Sequence, residues 1–300
     1  LTVSDVVFTI GPRINAAGRI EDAKEAVALL ISENKETAIP AGITINEKNT
    51  ERRTLDAAIT EHALQLILED EGFTNKKSTV LFHPEWHKGV IGIVASRLTE
   101  KYYRPTIILT ESNGFATGSA RSVKDFDVYL AIEACSDLLE QFGGHKYAAG
   151  LTLKVENVPA FMEKFENIVS STIEERMLTQ EIEIDAEIEL KDITPSFYRI
   201  LKQFGPFGPG NMSPVFKTYN VTDKGFATIV GRNHLKLSLG QKAIDLKTEQ
   251  FFDAIGFSLG QYYNHAAEKK AFDICYTIEE NEWNGQVSLQ LNVKDMRIHE

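Results

Sequence analysis

The sequence predicts a helical connector followed by an α/β domain and then an all-β barrel of the OB type. Three observations support this. Apolar residues recur every three or four positions before residue 76, short apolar runs then alternate with helical stretches, and apolar and polar residues alternate strictly after residue 181. These are the periods of helices, strand–helix units and half-buried strands. The length of 300 residues allows two domains or more.

The connector is predicted to span residues 20–76. Apolar residues at Ile20, Val27 and Ile31 predict a helix over 20–32, and a longer helix is predicted from near Asn46 until Gly72 stops it. A helix of this length commonly joins two domains.

The α/β domain is predicted to span residues 77–180. Strands are predicted at STVLF, PTIILT, FATGSARSV and AAGLTLKV, and helices at GVIGIVASRLTEKY and over roughly 127–141 and 158–178. Alternation of this kind indicates a layered α/β domain.

The β domain is predicted to span residues 181–300. Alternation over 182–190, 235–239 and 287–293 predicts half-buried strands, and Asn284–Gly285 predicts a tight hairpin turn. Five or so strands with a short helix near 195–204 suit a small OB-type barrel, and a β-sandwich is the alternative.

The charge distribution limits how this chain could bind a polyanion. A net charge of −11 opposes coating of nucleic acid by bulk electrostatics. Residues 77–154, with 9 basic and 8 acidic side chains, are the one stretch that is not acidic. A polyanion is therefore expected there, held by a few placed cations.

Other features of the composition favour an ordinary cytoplasmic protein. No apolar run is long enough to span a bilayer, and the first residues lack the pattern of a signal peptide. Cys135 and Cys275 are expected to be small buried hydrophobes. His83 and His87 lack a third ligand in the pattern, so no metal site is predicted.

The segment Gly11–Arg19 holds Arg13, Asn15 and Arg19 between glycines, ahead of a predicted helix. Arginines fixed in this way make forked hydrogen bonds to phosphate, and a helix start favours anions. An entry turn whose arginines pair with nearby carboxylates explains the pattern equally well.

Two further segments of the α/β domain carry candidate phosphate ligands. His87 and Lys88 precede a helix in which Gly89 and Gly92 permit close packing. In GSARS, Ser119 and Arg121 share one strand face and form a compact phosphate clamp, or else the arginine lies at an edge strand without function. Asp125 and Asp127 are predicted to cap the next helix rather than bind a metal.

The segment FGGHKYAAG is predicted to end a helix, turn through Gly143 and Gly144, and present His145. Paired glycines let the backbone approach a ligand, and an imidazole there can donate to a phosphate oxygen or act as a general acid. An incidental histidine after a helix stop is the alternative.

The β domain offers three candidate contacts for a single nucleic-acid strand. Phe207 could stack on a base, although a place in the core is the stronger expectation. His234 and Lys236 share one face of a strand, the face along which OB folds track a single strand.

In this order the motifs GPRINAAGR, HPEWHKGVIGIVASRL, GSARSV, QFGGHKYAAG, PFGPGN, HLKL and LQLNVKD resemble the RecJ family of single-strand-specific exonucleases. The resemblance covers essentially the whole chain but only the later part of such an enzyme. It implies a tail of the DHH phosphoesterase domain over 1–19, then the connector, a DHH-associated domain over 77–180 and an OB domain over 181–300. Asp-His-His does not occur in the sequence.

The resemblance also implies a function: the substrate-binding part of a 5′-to-3′ exonuclease on single-stranded DNA, active in DNA repair and recombination. Mg²⁺ or Mn²⁺ would be held by the DHH domain, and neither metal binding nor nuclease activity is expected of these 300 residues alone. Ser119, Arg121 and one of Arg13 or Arg19 would bind the 5′ phosphate. His145, with Gly143 and Gly144, would contact substrate near the metals.

Two other functions remain open at the level of sequence. One is a stand-alone module that binds single-stranded nucleic acid. The other is part of a DHH-family phosphodiesterase that acts on short oligonucleotides.

Overall fold

The computed structural model describes residues 3–231, 233–241 and 251–299. Two compact units divide the chain, one up to Gln180 and the other from Glu181. The predicted fold class is confirmed: a helical region precedes an α/β domain, and a β-rich OB domain follows. No helix in the described part of the chain has the length and apolar character to cross a membrane.

The helical region differs from the prediction in its boundaries. Its helices are α1 (Val3–Asp5), α2 (Gly11–Ile20), α3 (Lys24–Leu30) and α4 (Lys35–Glu69), with a π-helical turn at Val6–Ile10. The predicted start of the long helix near Asn46 is wrong. It begins after Asn34, whose side chain accepts a hydrogen bond from the Thr37 amide at 3.0 Å, and it continues through Pro40. Packing of α2 and α3 against Ile45 accounts for the extension.

The α/β domain contains a five-stranded sheet in the order β1-β2-β3-β5-β4, with β1 parallel to β2 and the other neighbours antiparallel. Its elements are β1 (Thr79–Phe82), α5 (Ile91–Tyr102), β2 (Thr106–Ser112), β3 (Phe115–Arg121), α6 (Val128–Glu133), β4 (Leu139–His145), β5 (Ala148–Lys154) and α7 (Val158–Thr172).

The two faces of this sheet are covered differently. On one face, α6 and α7 bury residues such as Ala116, Leu153 and Phe161. On the other face, α5 packs over β2 with residues such as Val94 and Ile108. On that second face Gly143 in β4 and Gly150 in β5 remain exposed. An open surface therefore continues beside the α5-covered part of the sheet.

The prediction of a helix over 127–141 is wrong beyond Glu133. After a 3₁₀ turn at Ser136–Leu138, the chain forms β4, in which Phe142 pairs with Leu151 and His145 with Ala148. The apolar residues before Phe142 fit a helical period, but pairing with β5 determines the conformation. The final helix of this domain ends at Thr172 rather than near 178.

The second unit is a barrel, not a sandwich. Its sheet has the order β6-β7-β11-β12-β10-β9-β8, and an additional β7–β9 pairing closes a ring of five strands. The elements are β6 (Ala186–Glu187), α8 (Pro195–Leu201), β7 (Phe216–Asp223), β8 (Thr228–Val230), β9 (His234–Gln241), β10 (Phe251–Gly256), α9 (Tyr263–Ala267), β11 (Phe272–Trp283) and β12 (Gln286–Ile298). Leu235, Leu237, Leu239 and Tyr276 fill its core.

Two predictions for the barrel had opposite outcomes. The hairpin turn is confirmed, since Asn284 and Gly285 join β11 to β12 with φ of 51° and 76°. The long strand over 182–190 is wrong because only Ala186–Glu187 pairs, and a 3₁₀ turn at Leu190–Asp192 follows. Asp192 caps that turn by accepting from the Glu189 amide at 2.9 Å.

Candidate nucleic-acid interface

Ser119 and Arg121 lie side by side on β3, on the predicted common face. Arg121 donates from Nη1 to Ser119 Oγ at 3.0 Å and from Nε to Ser96 Oγ of α5 at 3.2 Å. Nη1 also donates to the Ala120 carbonyl oxygen at 2.7 Å, which further restricts the orientation of the guanidinium. The arginine is thus held in place by neutral acceptors, which leave its charge available for an anion.

Gly92 allows the first turn of α5 to lie directly over this pair. A Cβ at this position would be 3.0 Å from Ser119 Oγ and 3.1 Å from Arg121 Nη2. The predicted close packing at Gly92 is therefore present, and it brings the positive end of the α5 dipole to the guanidinium. The charge of Arg121 and the dipole of α5 together make the local electrostatic potential positive.

Arg19 reaches the same region from the end of α2. A Cβ on Gly89 would lie 1.9 Å from the Arg19 carbonyl oxygen, and Arg19 donates from Nη1 to the Gly89 carbonyl at 3.2 Å. Since Gly89 lies two residues before α5, this contact joins the end of α2 to the loop that leads into α5. The segment Gly11–Arg19 precedes helix α3, as predicted, but it is itself helical rather than a turn that leads into a helix.

The structure separates the other candidates of α2 from this site. Arg13 donates to Asn46 Oδ1 at 3.1 Å and to the Thr9 carbonyl at 2.7 Å, so its guanidinium is directed to α4 and the preceding turn. Asn15 is exposed on α2. Of the two arginines between which the sequence could not choose, Arg19 lies near Arg121.

The electrostatics of the pair favour an anionic ligand. Burial lowers the pKa of Arg121 below its ordinary value, and the positive charge of Arg19 lowers it further. Within the described residues, neither arginine forms an ion pair with a carboxylate. Two neighbouring guanidinium groups without a counter-ion are stabilised by a bound phosphate.

An open trough extends from this pair across the exposed face of the sheet. Ser119 pairs with Gly150 of β5, which pairs with Gly143 of β4. The resulting cavity of about 370 Å³ is lined by Thr117, Gly118, Gln141, Phe142, Gly143, Gly150, Leu151 and Thr152. A Cβ on Gly143 would meet nothing within 4 Å, and one on Gly150 only the Gly118 carbonyl oxygen, at 3.9 Å. The protein's own packing therefore does not require either glycine.

His145 lies on the same face as Arg121. Arg121 pairs with Ala148, and Ala148 pairs with His145, so the imidazole lies two strands away along one row of the sheet. It is exposed, and its Nδ1 accepts from the Tyr147 amide at 3.3 Å, which leaves Nε2 to carry the proton in the neutral ring. Its predicted presentation by a helix stop is wrong, because it ends a strand.

Gly144 is a structural glycine that lies apart from the trough. It pairs with buried Ala149, and its Cβ would lie 2.4 Å from the Ala148 carbonyl oxygen.

His87, in the loop before α5, accepts a hydrogen bond from the Gly89 amide at 3.2 Å. Its position beside Gly89 brings it near the end of α2.

The described residues contain no group of three metal-binding side chains. Asp127 caps α6 by accepting from the Leu130 amide at 3.2 Å, as predicted. The described side chains therefore offer no ligand set for a two-metal centre.

The barrel carries a separate surface with nucleic-acid-binding chemistry. His234 and Lys236 share the outer face of β9, and Lys236 is exposed. His234 accepts from the Ser258 amide at 3.1 Å and contacts the Phe257 ring edge to face at 5.2 Å. Phe207 is half-exposed and lies outside the barrel core, so the expectation that it fills the core is wrong.

Sequence reasoning missed two exposed aromatic residues on this barrel. Phe251 is 49% exposed at the start of β10, and Phe257, just after β10, is 56% exposed. Both are in phase with exposed Asp253 and out of phase with buried Phe252 and Ala254. The sequence could have indicated them, because they are aromatic residues at positions of the strand alternation that face solvent. Such rings suit stacking on bases.

Comparison with known proteins gives a consistent result. Residues 75–171 match the model of the DHHA1 domain, and residues 184–295 match that of the RecJ OB domain. The single-stranded-DNA-specific exonuclease RecJ of Bacillus subtilis is 33% identical over 98% of this chain, and that of Salmonella typhimurium is 29% identical over 99%. The chain spans 37% and 52% of those two proteins.

A solved structure is similar over the whole chain. The crystal structure of RecJ in complex with Mn²⁺ from Thermus thermophilus matches 99% of this chain and 42% of that one, with 28% identity and a TM-score of 0.82. A structure of RecJ from the same organism in complex with Mg²⁺ matches with a TM-score of 0.78.

Proposed function

Since this chain belongs to the RecJ family, we propose that it forms the substrate-binding part of a 5′-to-3′ exonuclease specific for single-stranded DNA, acting in DNA repair and recombination in the cytoplasm. The observation that carries the proposal is the contact of Arg121 with Ser119, with Arg19 nearby at Gly89, beside a trough floored by glycine. This arrangement suits a phosphate at one end of a strand that continues across the sheet.

The three side chains are suited to a terminal phosphate in particular. A 5′ phosphate carries more charge than an internal diester and exposes one more oxygen. Arg121 offers a planar fork of donors, Ser119 a hydroxyl, and Arg19 a second guanidinium. An internal diester could not use all of these donors at once, so the site discriminates in favour of the 5′ end.

The strand beyond the first phosphate is proposed to lie in the trough. Gly150 and Gly143 let the sugar–phosphate backbone approach the sheet, while Thr117, Gln141 and Thr152 offer polar groups along one side. His145, in the row of Arg121, is placed to donate from Nε2 to a phosphate oxygen.

The RecJ OB domain favours this function over that of an enzyme for short oligonucleotides. His234, Lys236, Phe251 and Phe257 supply charge and aromatic faces for further nucleotides, and Phe207 could add a third ring. A binding series with strands of increasing length separates the two functions, because only an OB path gains affinity from nucleotides beyond the first few.

The divalent metal is proposed to be bound outside these 300 residues. Relatives are described in complex with Mn²⁺ or Mg²⁺, whereas the described residues of this chain offer no three-ligand cluster. The chain's own residues are proposed to bind and orient the strand, and a DHH domain outside them is proposed to hold the metal. Purified alone, the chain is expected to cut no labelled strand with either ion.

The direct test is competition between 5′-phosphorylated and 5′-hydroxyl single strands for this chain at low salt. Arg121→Ala should remove the preference for the phosphate, at a cost of about 1.5–3 kcal/mol for a charged hydrogen bond. Arg121→Lys should restore only part, because an ammonium lacks the planar fork. Arg176→Ala removes a charge that pairs with Glu174 and Asp125, and serves as the control. If Arg121→Ala keeps the wild-type preference, the assignment of the phosphate site is wrong.

A further inference from the structure

The face of the sheet that carries the trough presents its residues in three parallel rows, each of which crosses β3, β5 and β4. The first, the arginine row, consists of Arg121, Ala148 and His145. The second, the glycine row, consists of Ser119, Gly150 and Gly143, and the third, the threonine row, of Thr117, Thr152 and Gln141. Successive rows are about 6.8 Å apart, the rise of two residues in an antiparallel strand. The glycines therefore form the floor of a groove between two rows of side chains.

The two rows that flank the glycines differ in charge. The arginine row carries the guanidinium of Arg121 and the imidazole of His145, and the threonine row carries two hydroxyls and an amide, all uncharged. Beyond the threonine row, the next residue of β5 on this face is Lys154. It lies about 14 Å from the glycine row, twice as far as the arginine row. A chain of phosphates in the groove is therefore attracted to the side of the arginine row.

The polar groups of the threonine row are open to a ligand. All three side chains line the cavity of about 370 Å³, and Gln141 is exposed while Thr117 and Thr152 are half-buried. None of the three side chains forms a hydrogen bond to another residue in the part of the chain that the structure describes. A threonine hydroxyl both donates and accepts, and a glutamine amide offers a donor and an acceptor side by side. The row can therefore bond to uncharged polar groups of a ligand at no cost in protein hydrogen bonds.

We propose that the threonine row binds the edges of the bases nearest the 5′ end, while the phosphates lie on the side of the arginine row. This inference rests on the proposed function, because it assumes that the strand begins at Ser119 and crosses Gly150 and Gly143. With the sugar–phosphate backbone over the glycines and the phosphates turned to one side, the bases project to the other. The threonine row thus determines the rotation of the strand about its own axis in the trough.

The chemistry of the threonine row also defines the ligand. The edges of unstacked bases carry both hydrogen-bond donors and acceptors, and hydroxyls and an amide can serve either kind, so the row accepts any sequence. Adjacent strands are about 4.8 Å apart, so the row from β3 to β4 is only about 10 Å long and reaches just the nucleotides nearest the 5′ end. A strand whose terminal nucleotides are abasic keeps every phosphate but lacks the groups that the row binds. It should therefore bind more weakly than the complete strand.

The experiment combines changes in the protein with changes in the strand. The variants are Thr152→Val and Gln141→Leu, which remove polar groups of the row at nearly constant volume. Thr54→Val is the control, because Thr54 is exposed on α4 and its hydroxyl donates to the Thr50 carbonyl at 3.2 Å. The probes are fluorescent 5′-phosphorylated oligothymidylates: a complete strand, one with tetrahydrofuran in place of the first two nucleosides, and one with an uncharged methylphosphonate at the first internucleotide linkage.

Each row variant should weaken binding of the complete strand by about 2- to 12-fold, the range for one neutral hydrogen bond. Neither variant should weaken binding of the abasic strand further, because the partner of the lost group is already absent. Both should weaken binding of the methylphosphonate strand by the same factor as the complete one. Thr54→Val should change none of the three affinities. General damage to the fold would weaken binding of all three strands alike, so dependence on the base separates binding from a structural role.

The outcomes distinguish this inference from the proposed function. If the wild-type chain binds no single strand at low salt, the proposed function fails and the inference with it. If Arg121→Ala abolishes the 5′-phosphate preference but the row variants lose as much affinity for the abasic strand as for the complete one, only the contact with bases is refuted. A loss that disappears with the methylphosphonate strand would show that the threonine row contacts phosphate, and would overturn the proposed orientation.

Discussion

The trough floor can be tested by adding a single methyl group at Gly150. A Cβ there would have the Gly118 carbonyl oxygen, at 3.9 Å, as its nearest protein neighbour, so no protein atom must move. Replacing glycine with alanine in a compatible conformation stabilises a fold by about 0.4–1 kcal/mol, chiefly by restricting the unfolded chain. Gly150→Ala should therefore melt at the same temperature as the wild type or slightly above it.

The same methyl group should weaken DNA binding. It projects into the cavity of about 370 Å³, next to Ser119, where the strand is proposed to lie against the sheet. Forcing an extra methyl into a closely packed contact costs about 1–3 kcal/mol, which corresponds to roughly 5- to 150-fold in affinity. A protein that gains stability while losing affinity is the expected signature of a glycine retained for its ligand.

Fluorescence anisotropy with a labelled single strand measures the affinity, and thermal unfolding measures the stability. Gly42→Ala is the control, because a Cβ on Gly42, in α4, meets nothing within 4 Å and lies outside the trough. Gly118→Ala is the opposite case, since its Cβ would lie 2.5 Å from Leu109 Cδ2, and it should destabilise the domain. If Gly150→Ala binds as tightly as the wild type, the strand does not cross the trough.

Two further predictions concern stability. Burial opposes ionisation of Glu166, but hydrogen bonds from Ser170, Ser78 and backbone amides outweigh it and hold the pKa below its ordinary value of 4.5. Glu166→Gln should lower the free energy of unfolding by about 1.5–3 kcal/mol at pH 7. In urea unfolding, the difference in this free energy between wild type and variant should shrink as the pH falls through and below 4.5, because Glu166 then becomes protonated. A difference that does not depend on pH would refute this. Asp223, buried in the barrel, accepts from four backbone amides, including that of Ser238 at 2.8 Å. Asp223→Ala should lower the unfolding free energy of the barrel by ~3 kcal/mol, and a loss below ~1 kcal/mol in chemical denaturation would contradict the role of these bonds.

The parts of the site that depend on local geometry could be predicted from the sequence. The common face of Ser119 and Arg121 follows from the two-residue period of a strand, and the cap at Asp127 follows from its place before a helix. The choice between Arg13 and Arg19 could not be made in this way. It depends on the contact of the α2 end with Gly89, 70 residues further along the chain.

The segment that forms β4 shows why the trough itself was not foreseen. Leu138, Leu139 and Phe142 have a spacing that fits a helix, and Gly143 with Gly144 is a common helix stop. Only pairing with β5 reveals that Gly143 lies opposite Gly150. The sequence alone does not show that these two exposed glycines lie side by side and together line the trough.

The negative net charge of the chain determines how strongly DNA binding depends on single residues. A chain with a net charge of −11 has no general attraction for DNA, so affinity must come from the few cations that lack a carboxylate partner. Many cations here are already neutralised: Arg97 by Asp56, Lys48 by Glu21, Arg176 by its two carboxylates. Arg19 and Arg121 differ because each is held by neutral acceptors in the described residues. Loss of either should therefore have a far larger effect on DNA binding than loss of a paired lysine or arginine elsewhere on the surface.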